Sequence, residues 1–218
     1  MRRGQIAIAL PKGRLLQEAI KLFEATGIQR LEGLTESRRL MCEDATGAYR
    51  FLVLRPADIP TYVEYGATDM GVVGKDILLE QERDVYEPLD LKFGACRLVV
   101  ARPTNRQDQE RPVGFSSLRV ATKYPALAER YFTGQGVQVE IIRLSGSIEL
   151  APLAGLCERI VDLVDTGRTL EENGLEEVEE IAPATARLIV NRAALKTKYR
   201  QVRGMIDQLT VVIQGGGA

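Results

Sequence analysis

Apolar residues along the chain fall into short runs that alternate with amphipathic stretches, and this alternation predicts strands followed by helices. The first run, residues 6–10, has the length and composition of a buried strand. Residues 15–26 carry their apolar side chains on one helical face and end before Gly27. Similar strand-loop-helix units recur as far as Val190. They predict an α/β protein with mixed, mostly parallel sheets and with ligand-binding loops at the carboxyl ends of the strands.

The order of the predicted elements indicates two lobes. Residues 102–180 carry their own strands and helices between a polar loop and an acidic run. The economical arrangement places residues 1–101 and 181–218 in lobe one and residues 102–180 in lobe two, with a ligand in the cleft between them. A long final helix is predicted from residue 193 onward. Its heptad-like seam favours packing on its own lobe and leaves a subunit interface open; the seam consists of Leu195, Tyr199, Val202, Ile206, Leu209 and Ile213.

Composition narrows the class of protein. The 218 residues are 45% hydrophobic and 27% charged with a net charge of −1, so no global field favours nucleic acid or membranes as partners. Cys42, Cys96 and Cys157 are widely spaced and argue against a disulfide framework or a zinc site. The first apolar run is too short for a signal-peptide core, and no run is long enough to span a bilayer. A cytoplasmic location is therefore expected.

The chain contains no histidine. This excludes Ser-His and Cys-His nucleophile pairs, histidine general bases and histidine metal ligands. Chemistry must then rely on carboxylates, Lys, Arg, Tyr, a bound Mg²⁺ or positioning. Phosphoryl-sugar chemistry with a good leaving group meets this condition, because electrostatic stabilisation does most of the work.

The stretch from residue 160 to 175 predicts a buried strand, an abrupt loop and a short helix that ends near Gly174. A junction of this kind is able to hold a phosphate, because backbone N–H groups and the helix dipole point at the loop. Thr166 and Thr169 add hydroxyl donors, Gly167 permits close approach of the backbone, and Arg168 adds a positive charge.

Asp162 and Asp165 are unsuited to contact phosphate oxygens. They fit better as acceptors for sugar hydroxyls or as partners of a bound metal ion. Together with the neighbouring donors, they predict a loop that binds a phosphorylated sugar. The residues of the loop alone also fit an ordinary strand-to-helix turn, in which Asp, Thr and Gly serve turn geometry.

Six short motifs resemble those of ATP phosphoribosyltransferase in their order and spacing. They are residues 10–15 (Leu-Pro-Lys-Gly-Arg-Leu), 55–60, 66–76, 121–125, 145–150 and 162–170. The similarity covers nearly the whole chain. The sequence has no room after its last helix for the C-terminal regulatory domain of the long family members, so it resembles the short form.

The resemblance implies the first step of histidine biosynthesis. N1 of the adenine of ATP attacks the anomeric carbon of phosphoribosyl pyrophosphate, and pyrophosphate leaves with inversion and with Mg²⁺ on the leaving group. It also implies a bilobal fold like that of type II periplasmic solute-binding proteins, which agrees with the predicted layout. A separate regulatory subunit similar to a histidyl-tRNA synthetase is the implied partner, in a hetero-oligomer that contains a homodimer of this chain.

The resemblance assigns roles to two groups of residues. It places the 5-phosphate on Asp165, Thr166, Gly167, Arg168 and Thr169, and the ribose hydroxyls on Asp162 and Glu149. Lys12, Gly13, Arg14 and Asp69 match the nucleotide and pyrophosphate region. Arg14 and Arg38 are the expected catalytic groups, because guanidinium forks suit the charge that develops on departing pyrophosphate. Mg²⁺ is expected to be held mainly by that pyrophosphate rather than by protein ligands.

Simpler interpretations accompany several of these roles. The sequence is also compatible with Asp69 as a turn residue, with Lys12 as a surface lysine and with Arg39 as a solvated neighbour of Arg38. Glu149 fits a plain helix start, so its sugar role depends on the resemblance. The nearby tyrosines are expected in the core or at the rim of the site rather than stacked on adenine; they are Tyr62, Tyr65, Tyr124 and Tyr131.

Two other function classes stay open at this point. A catalytically silent solute-binding or sensor domain would share the cleft, but it would not need phosphate-suited loops in both lobes. A different phosphoribosyltransferase would keep the loop at residues 162–169 and change the acceptor site.

Overall fold

A computed structural model describes residues 4–29, 31, 34, 40–104 and 117–215. The chain divides into two compact units, Met1–Gly94 with Thr185–Ala218, and Ala95–Ala184. The sequence pattern placed the crossings at 101/102 and 180/181, a few residues from these positions. The difference arises because the strands that begin at Cys96 and end at Ala184 pair with each other, which keeps both in the second unit.

Strands and helices alternate through most of the chain. The strands are β1 (Ile6–Pro11), β2 (Met41–Glu43), β3 (Tyr49–Leu54), β4 (Met70–Gly74), β5 (Tyr86–Asp90), β6 (Cys96–Pro103), β7 (Leu118–Thr122), β8 (Val139–Arg143), β9 (Arg159–Val164), β10 (Leu175–Ala184) and β11 (Ala186–Val190). The helices are α1 (Leu16–Glu24), α2 (Ile59–Glu64), α3 (Lys75–Gln81), α4 (Pro125–Gly134), α5 (Leu150–Leu153), α6 (Arg168–Glu172), α7 (Arg192–Thr197) and α8 (Tyr199–Gly215), and a 3₁₀ turn spans Pro56–Asp58. Among these helices, none combines the length and apolar character needed to cross a bilayer.

The first unit is built on a six-stranded sheet with the order β2-β3-β1-β4-β11-β5. Every residue of β1 is buried, as its continuous apolar run predicts. Helix α1 buries Ala19, Ile20 and Phe23, and the Phe23 ring meets Phe51 of β3 edge to face at 5.4 Å. The predicted strand and helix at the start of the chain are therefore confirmed, with the helix two residues shorter at its carboxyl end.

The second unit contains a five-stranded sheet with the order β10-β6-β9-β7-β8. Strands β9, β7 and β8 run parallel, whereas β6 runs antiparallel to both of its neighbours. In the first sheet β1 runs parallel to β3 and β4, and the other neighbours are antiparallel. Both sheets are mixed, as predicted, but parallel pairs do not predominate, because β2 and β11 in the first sheet and β6 in the second run opposite to the other strands.

The acidic run at residues 176–180 lies within strand β10 and does not mark the end of a lobe. Its charges face basic residues across the ladder, where Arg102 Nε lies 2.6 Å from Glu176 Oε1 and Arg97 pairs with Glu177. Opposite charges on neighbouring strands stabilise such a pair. The sequence pattern misses this strand because its partners are about 75 to 80 residues away.

The predicted long C-terminal helix is two helices, with Lys198 between α7 and α8. Val202, Ile206 and Leu209 of the predicted seam are buried in the core of the first unit, as expected for packing on its own lobe. Tyr199 is 59% exposed and does not belong to the buried part of the seam. At the break, Lys198 has φ of −125° and ψ of 31°, and its Nζ donates hydrogen bonds to Gln5 O and Asp69 Oδ2, both at 2.8 Å.

Replacing Lys198 with methionine should lower the free energy of unfolding by about 3 kcal/mol, because it leaves the buried carboxylate of Asp69 without its cation. The change in the midpoint of urea unfolding measures this effect. Lys196→Met, at an exposed position of α7, is the matched control. A loss from Lys198→Met no larger than that of the control would contradict a structural role for the pair.

Candidate active site

The loop that follows β9 begins at Asp165 and leads into α6 at Arg168. Gly167 occupies the position before the helix with φ of 83°, a left-handed conformation that suits glycine. Asp165, Thr166, Arg168 and Thr169 are exposed, so their polar groups are accessible to a ligand. The first N–H groups of a helix lack intrahelical acceptors, so α6 adds backbone donors to the hydroxyls of the loop. The predicted strand-loop-helix junction is confirmed.

A concavity of about 100 Å³ lies against this loop. It is lined by all five residues of the predicted phosphate loop and also by Asp162 and Glu149. Glu149 stands at the start of α5, in a segment 13 residues before Asp162, yet the fold brings the two carboxylates to the same depression. The structure thus places two acceptors for hydroxyl groups beside a set of donors for a phosphate.

Asp162 is held in place by two contacts. Its Oδ1 accepts a hydrogen bond from Leu163 N at 2.8 Å and lies 3.0 Å from Lys123 Nζ. Lys123 directly follows β7, and β7 pairs in parallel with β9, which carries Asp162. Lys123 was not among the predicted site residues, although its position after a parallel strand is the signal that the other ligand loops share.

The Lys12-Gly13-Arg14 loop follows β1 in the first unit. Gly13 has φ of 102°, and all three residues are exposed. The Arg14 Nη2 donates a long hydrogen bond, 3.4 Å, to Gly94 O. Strand β3 runs parallel to β1, so the exposed Arg55 that follows it lies at the same edge of the sheet. The carboxyl ends of β1 and β3 therefore present exposed cationic groups. Arg55, like Lys123, was omitted from the sequence-based assignment.

Asp69 lies beside the amino ends of β1 and β4, whereas Lys12 follows the carboxyl end of β1. The structure therefore does not bring Asp69 to the predicted pyrophosphate region. Its Oδ2 accepts from Ala7 N at 2.8 Å and from Lys198 Nζ at 2.8 Å, and its side chain is 9% exposed. Lys12 is five residues further along β1 than Ala7, or roughly 16 Å at the rise of a strand. The physical reason is simple: Asp69 precedes β4, whereas the ligand loops follow strands.

The remaining residues of the sequence-based assignment are two arginines and four tyrosines. Arg38 and Arg39 lie outside the described residues. Tyr124 is buried and Tyr131 is partly buried, while Tyr62 and Tyr65 are 38% and 78% exposed. In the part of the chain that the structure describes, no group of three or more acidic, Cys or His side chains is placed to hold a metal ion.

A family model, HisG: ATP phosphoribosyltransferase, matches residues 55–214 and so includes the sugar-phosphate loop. An ATP phosphoribosyltransferase of Syntrophotalea carbinolica is 57% identical over 208 residues, which cover 95% of each protein. One of Citrifermentans bemidjiense is 54% identical over 204 residues, 94% of this chain and 96% of the relative. This chain belongs to the ATP phosphoribosyltransferase family.

Solved structures agree with the family assignment. A chain of the ATP phosphoribosyl transferase (HisG:HisZ) complex from Thermotoga maritima aligns with a TM-score of 0.82 at 35% identity, over 97% of this chain and 100% of that chain. The periplasmic aliphatic sulphonate binding protein SsuA of Escherichia coli aligns with a TM-score of 0.56 at 12% identity, over 96% of this chain and 72% of that protein. The second likeness shows the fold alone, and it confirms the predicted similarity of fold to periplasmic binding proteins.

Proposed function

We propose that this family member transfers the phosphoribosyl group of phosphoribosyl pyrophosphate to N1 of the adenine of ATP. The products are phosphoribosyl-ATP and pyrophosphate, in the first step of histidine biosynthesis. The observation that carries the proposal is the concavity of the second unit, where hydrogen-bond donors for a phosphate lie beside two carboxylates. The chain that forms this concavity is 57% identical to an ATP phosphoribosyltransferase.

The exposed groups suggest which residues bind the phosphate of the substrate and which bind its ribose. Thr166, Thr169 and the loop N–H groups bind the 5-phosphate, and Arg168 supplies a positive charge. Asp162 and Glu149 accept hydrogen bonds from the ribose hydroxyls, since ionised carboxylates only accept. Asp165 lines the same concavity, where its carboxylate is suited to accept a hydrogen bond from a hydroxyl group rather than to contact a phosphate oxygen.

The cationic groups that follow β1 and β3 in the first unit are proposed to stabilise the negative charge that develops on pyrophosphate during the reaction. As N1 of adenine forms its bond to the anomeric carbon, the bond from that carbon to the pyrophosphate oxygen breaks and the electron pair leaves with pyrophosphate. Arg14 offers an exposed guanidinium fork suited to phosphate oxygens, Lys12 adds a point charge, and Gly13 lets the backbone approach. Arg55, which follows β3, is a further candidate for this role, and Arg38 is retained as a proposal from the sequence.

Mg²⁺ is proposed to enter with the pyrophosphate group of the substrate. Mg²⁺ usually keeps several waters and binds through substrate phosphates with one or two carboxylates. Because no group of three or more acidic side chains in the described residues is placed to hold a metal ion, the proposed ion would be held mainly by oxygen atoms of the substrate pyrophosphate. When bound, the ion would neutralise part of the charge on the leaving group.

The assembly is proposed from the relative and from the sequence resemblance. A relative with a TM-score of 0.82 comes from a HisG:HisZ complex. We propose that this chain likewise works as the short catalytic form with a regulatory subunit similar to a histidyl-tRNA synthetase. A homodimer of this chain within the hetero-oligomer and a cytoplasmic location complete the proposal.

Formation of phosphoribosyl-ATP tests the proposed function directly. The purified chain, ATP, phosphoribosyl pyrophosphate and Mg²⁺ should give product, measured by its ultraviolet absorbance, in the presence of the cognate regulatory subunit. Omission of either substrate should abolish the signal. Binding of both substrates without product under these conditions would contradict the proposal and favour a silent binding domain.

A further inference from the structure

Lys123 lies next to the proposed ribose-binding carboxylate, although no role has been assigned to it above. The parallel pairing of Thr122 with Val161 places the next residue of each strand side by side. The Lys123 ammonium is 3.0 Å from Asp162 Oδ1, and the side chains are 38% and 20% exposed. Asp162 therefore lines the concavity, and Lys123, which is not part of the lining, contacts its carboxylate from the neighbouring strand end.

The backbone on both sides of Lys123 is anchored. The buried Thr122 hydroxyl donates to Val161 O at 2.6 Å and accepts from Tyr124 N at 2.9 Å. The Lys123 ammonium also lies 5.2 Å from the centre of the Tyr124 ring, within the range of a cation–π contact. These contacts restrict a side chain that would otherwise have high rotamer freedom, so the position of the ammonium beside Asp162 is well defined.

The contact determines which oxygen of Asp162 a ligand can use. Lys123 Nζ and Leu163 N both engage Oδ1. In the described part of the chain, Oδ2 is consequently the oxygen left to accept a hydrogen bond from a ligand hydroxyl. A carboxylate fixed in this way needs little further ordering when a sugar binds, which lowers the entropic cost of binding.

We propose that Lys123 is a positioning residue for ribose recognition, and that it acts by holding Asp162 with Oδ2 directed at a sugar hydroxyl. The proposal deepens the proposed function and rests on its assignment of Asp162 to the ribose. The ammonium of Lys123 is already paired with a carboxylate, so the pair carries no net charge toward a phosphate. Lys123 therefore supports the recognition of the sugar, and the loop at Thr166–Thr169 that of the phosphate.

Two small probes separate these roles without requiring turnover. Ribose 5-phosphate carries both the sugar hydroxyls and the phosphate, whereas inorganic phosphate carries the phosphate alone. Lys123→Met in the full chain should weaken ribose 5-phosphate binding about tenfold, the effect of losing one hydrogen bond to a charged group, and leave phosphate binding unchanged. Calorimetric titration measures both affinities, and the melting temperature checks that the variant is folded.

Two further variants connect the effect to Asp162. Lys123→Arg keeps a cation beside the carboxylate and should retain ribose 5-phosphate affinity within about threefold. In an Asp162→Asn background, adding Lys123→Met should cause no further loss, because the positioned group is already gone. Lys196→Met, which removes an exposed lysine of the first unit, is the control for loss of charge.

Each alternative result is decisive. Equal losses for ribose 5-phosphate and phosphate would assign Lys123 to the phosphate and overturn the proposal. Unchanged affinity for both probes, additive losses in the double variant, or no ribose 5-phosphate binding by the unsubstituted chain would also overturn it. Because the measurement needs no ATP, a Lys123 effect on ribose 5-phosphate with no phosphoribosyl-ATP formation would refute the proposed reaction alone.

Discussion

Replacing Arg14 with alanine is expected to lower kcat by about 10² to 10³-fold, the range found when one preorganised donor to a developing negative charge is removed. The physical reason is that pyrophosphate carries more charge in the transition state than in the bound substrate, so a guanidinium that contacts it stabilises the transition state selectively. The affinity for ATP should change much less. Arg14 is exposed at the end of β1, which makes a large loss of stability unexpected.

Initial rates of phosphoribosyl-ATP formation and the dissociation constant of ATP separate the two effects. Arg14→Lys should fall between the native chain and Arg14→Ala, because lysine keeps the charge but loses the planar fork. Arg203→Ala, at an exposed arginine of α8 that pairs with Asp207, is the control for loss of a surface arginine. Equal losses in kcat and in ATP affinity for Arg14→Ala would indicate a plain binding role.

Replacing Gly167 with valine is expected to raise the KM for phosphoribosyl pyrophosphate roughly 100-fold or more. A β-branched residue is a severe outlier at the φ of 83° observed here, and the loop must rearrange to accept it. A rearranged loop loses two or more hydrogen bonds to the 5-phosphate, each worth about 1.5–3 kcal/mol when a charged group is involved. Steady-state kinetics with each substrate varied in turn should show a much smaller change in the KM for ATP.

Gly136→Val is a closely matched control for this effect. Gly136 lies between α4 and β8 of the same unit with φ of 73°, and a Cβ there meets no heavy atom within 4 Å. The strain and the loss of melting temperature should thus resemble those of Gly167→Val, whereas the KM for phosphoribosyl pyrophosphate should stay unchanged. A similar rise in KM for both variants would mean that strain in the unit, and not the phosphate loop, controls substrate binding.

Local sequence patterns predicted the elements whose stability is local. Strand β9, its loop and α6 follow from a β-branched run, a glycine at the turn and acids in the first helical turn. The same holds for β1 and α1, where apolar residues have the period of a buried strand and of one helical face. The positions of the loops after these strands therefore follow from the local sequence.

The errors occurred where distant residues determine the conformation. The break between α7 and α8 falls at Lys198, whose ammonium contacts Gln5 and Asp69, 193 and 129 residues away. Strand β10 is acidic and lacks an apolar alternation because basic residues of β6 compensate its charge. Lys123 was missed although it follows a parallel strand as the other ligand loops do; its contact with Asp162 on another strand is visible only in the structure.

The resemblance assigned Asp69 to the pyrophosphate region, whereas the structure places it apart from the Lys12-Gly13-Arg14 loop of that region. It precedes β4, and in a sheet with parallel neighbours the ligand loops follow the strands. The resemblance placed Asp69 by its motif, whereas the topology placed it with the amino ends of β1 and β4. The ends of the strands therefore indicate which residues of one motif lie near the ligand loops and which do not.

A crystal structure of the chain with bound phosphoribosyl pyrophosphate would test the central claim most directly. The 5-phosphate should lie within hydrogen-bonding distance of the Thr166 and Thr169 hydroxyls and of backbone N–H groups of the loop, with the ribose hydroxyls on Asp162 and Glu149. An ordered substrate whose 5-phosphate binds elsewhere and leaves this loop without a contact would contradict the claim.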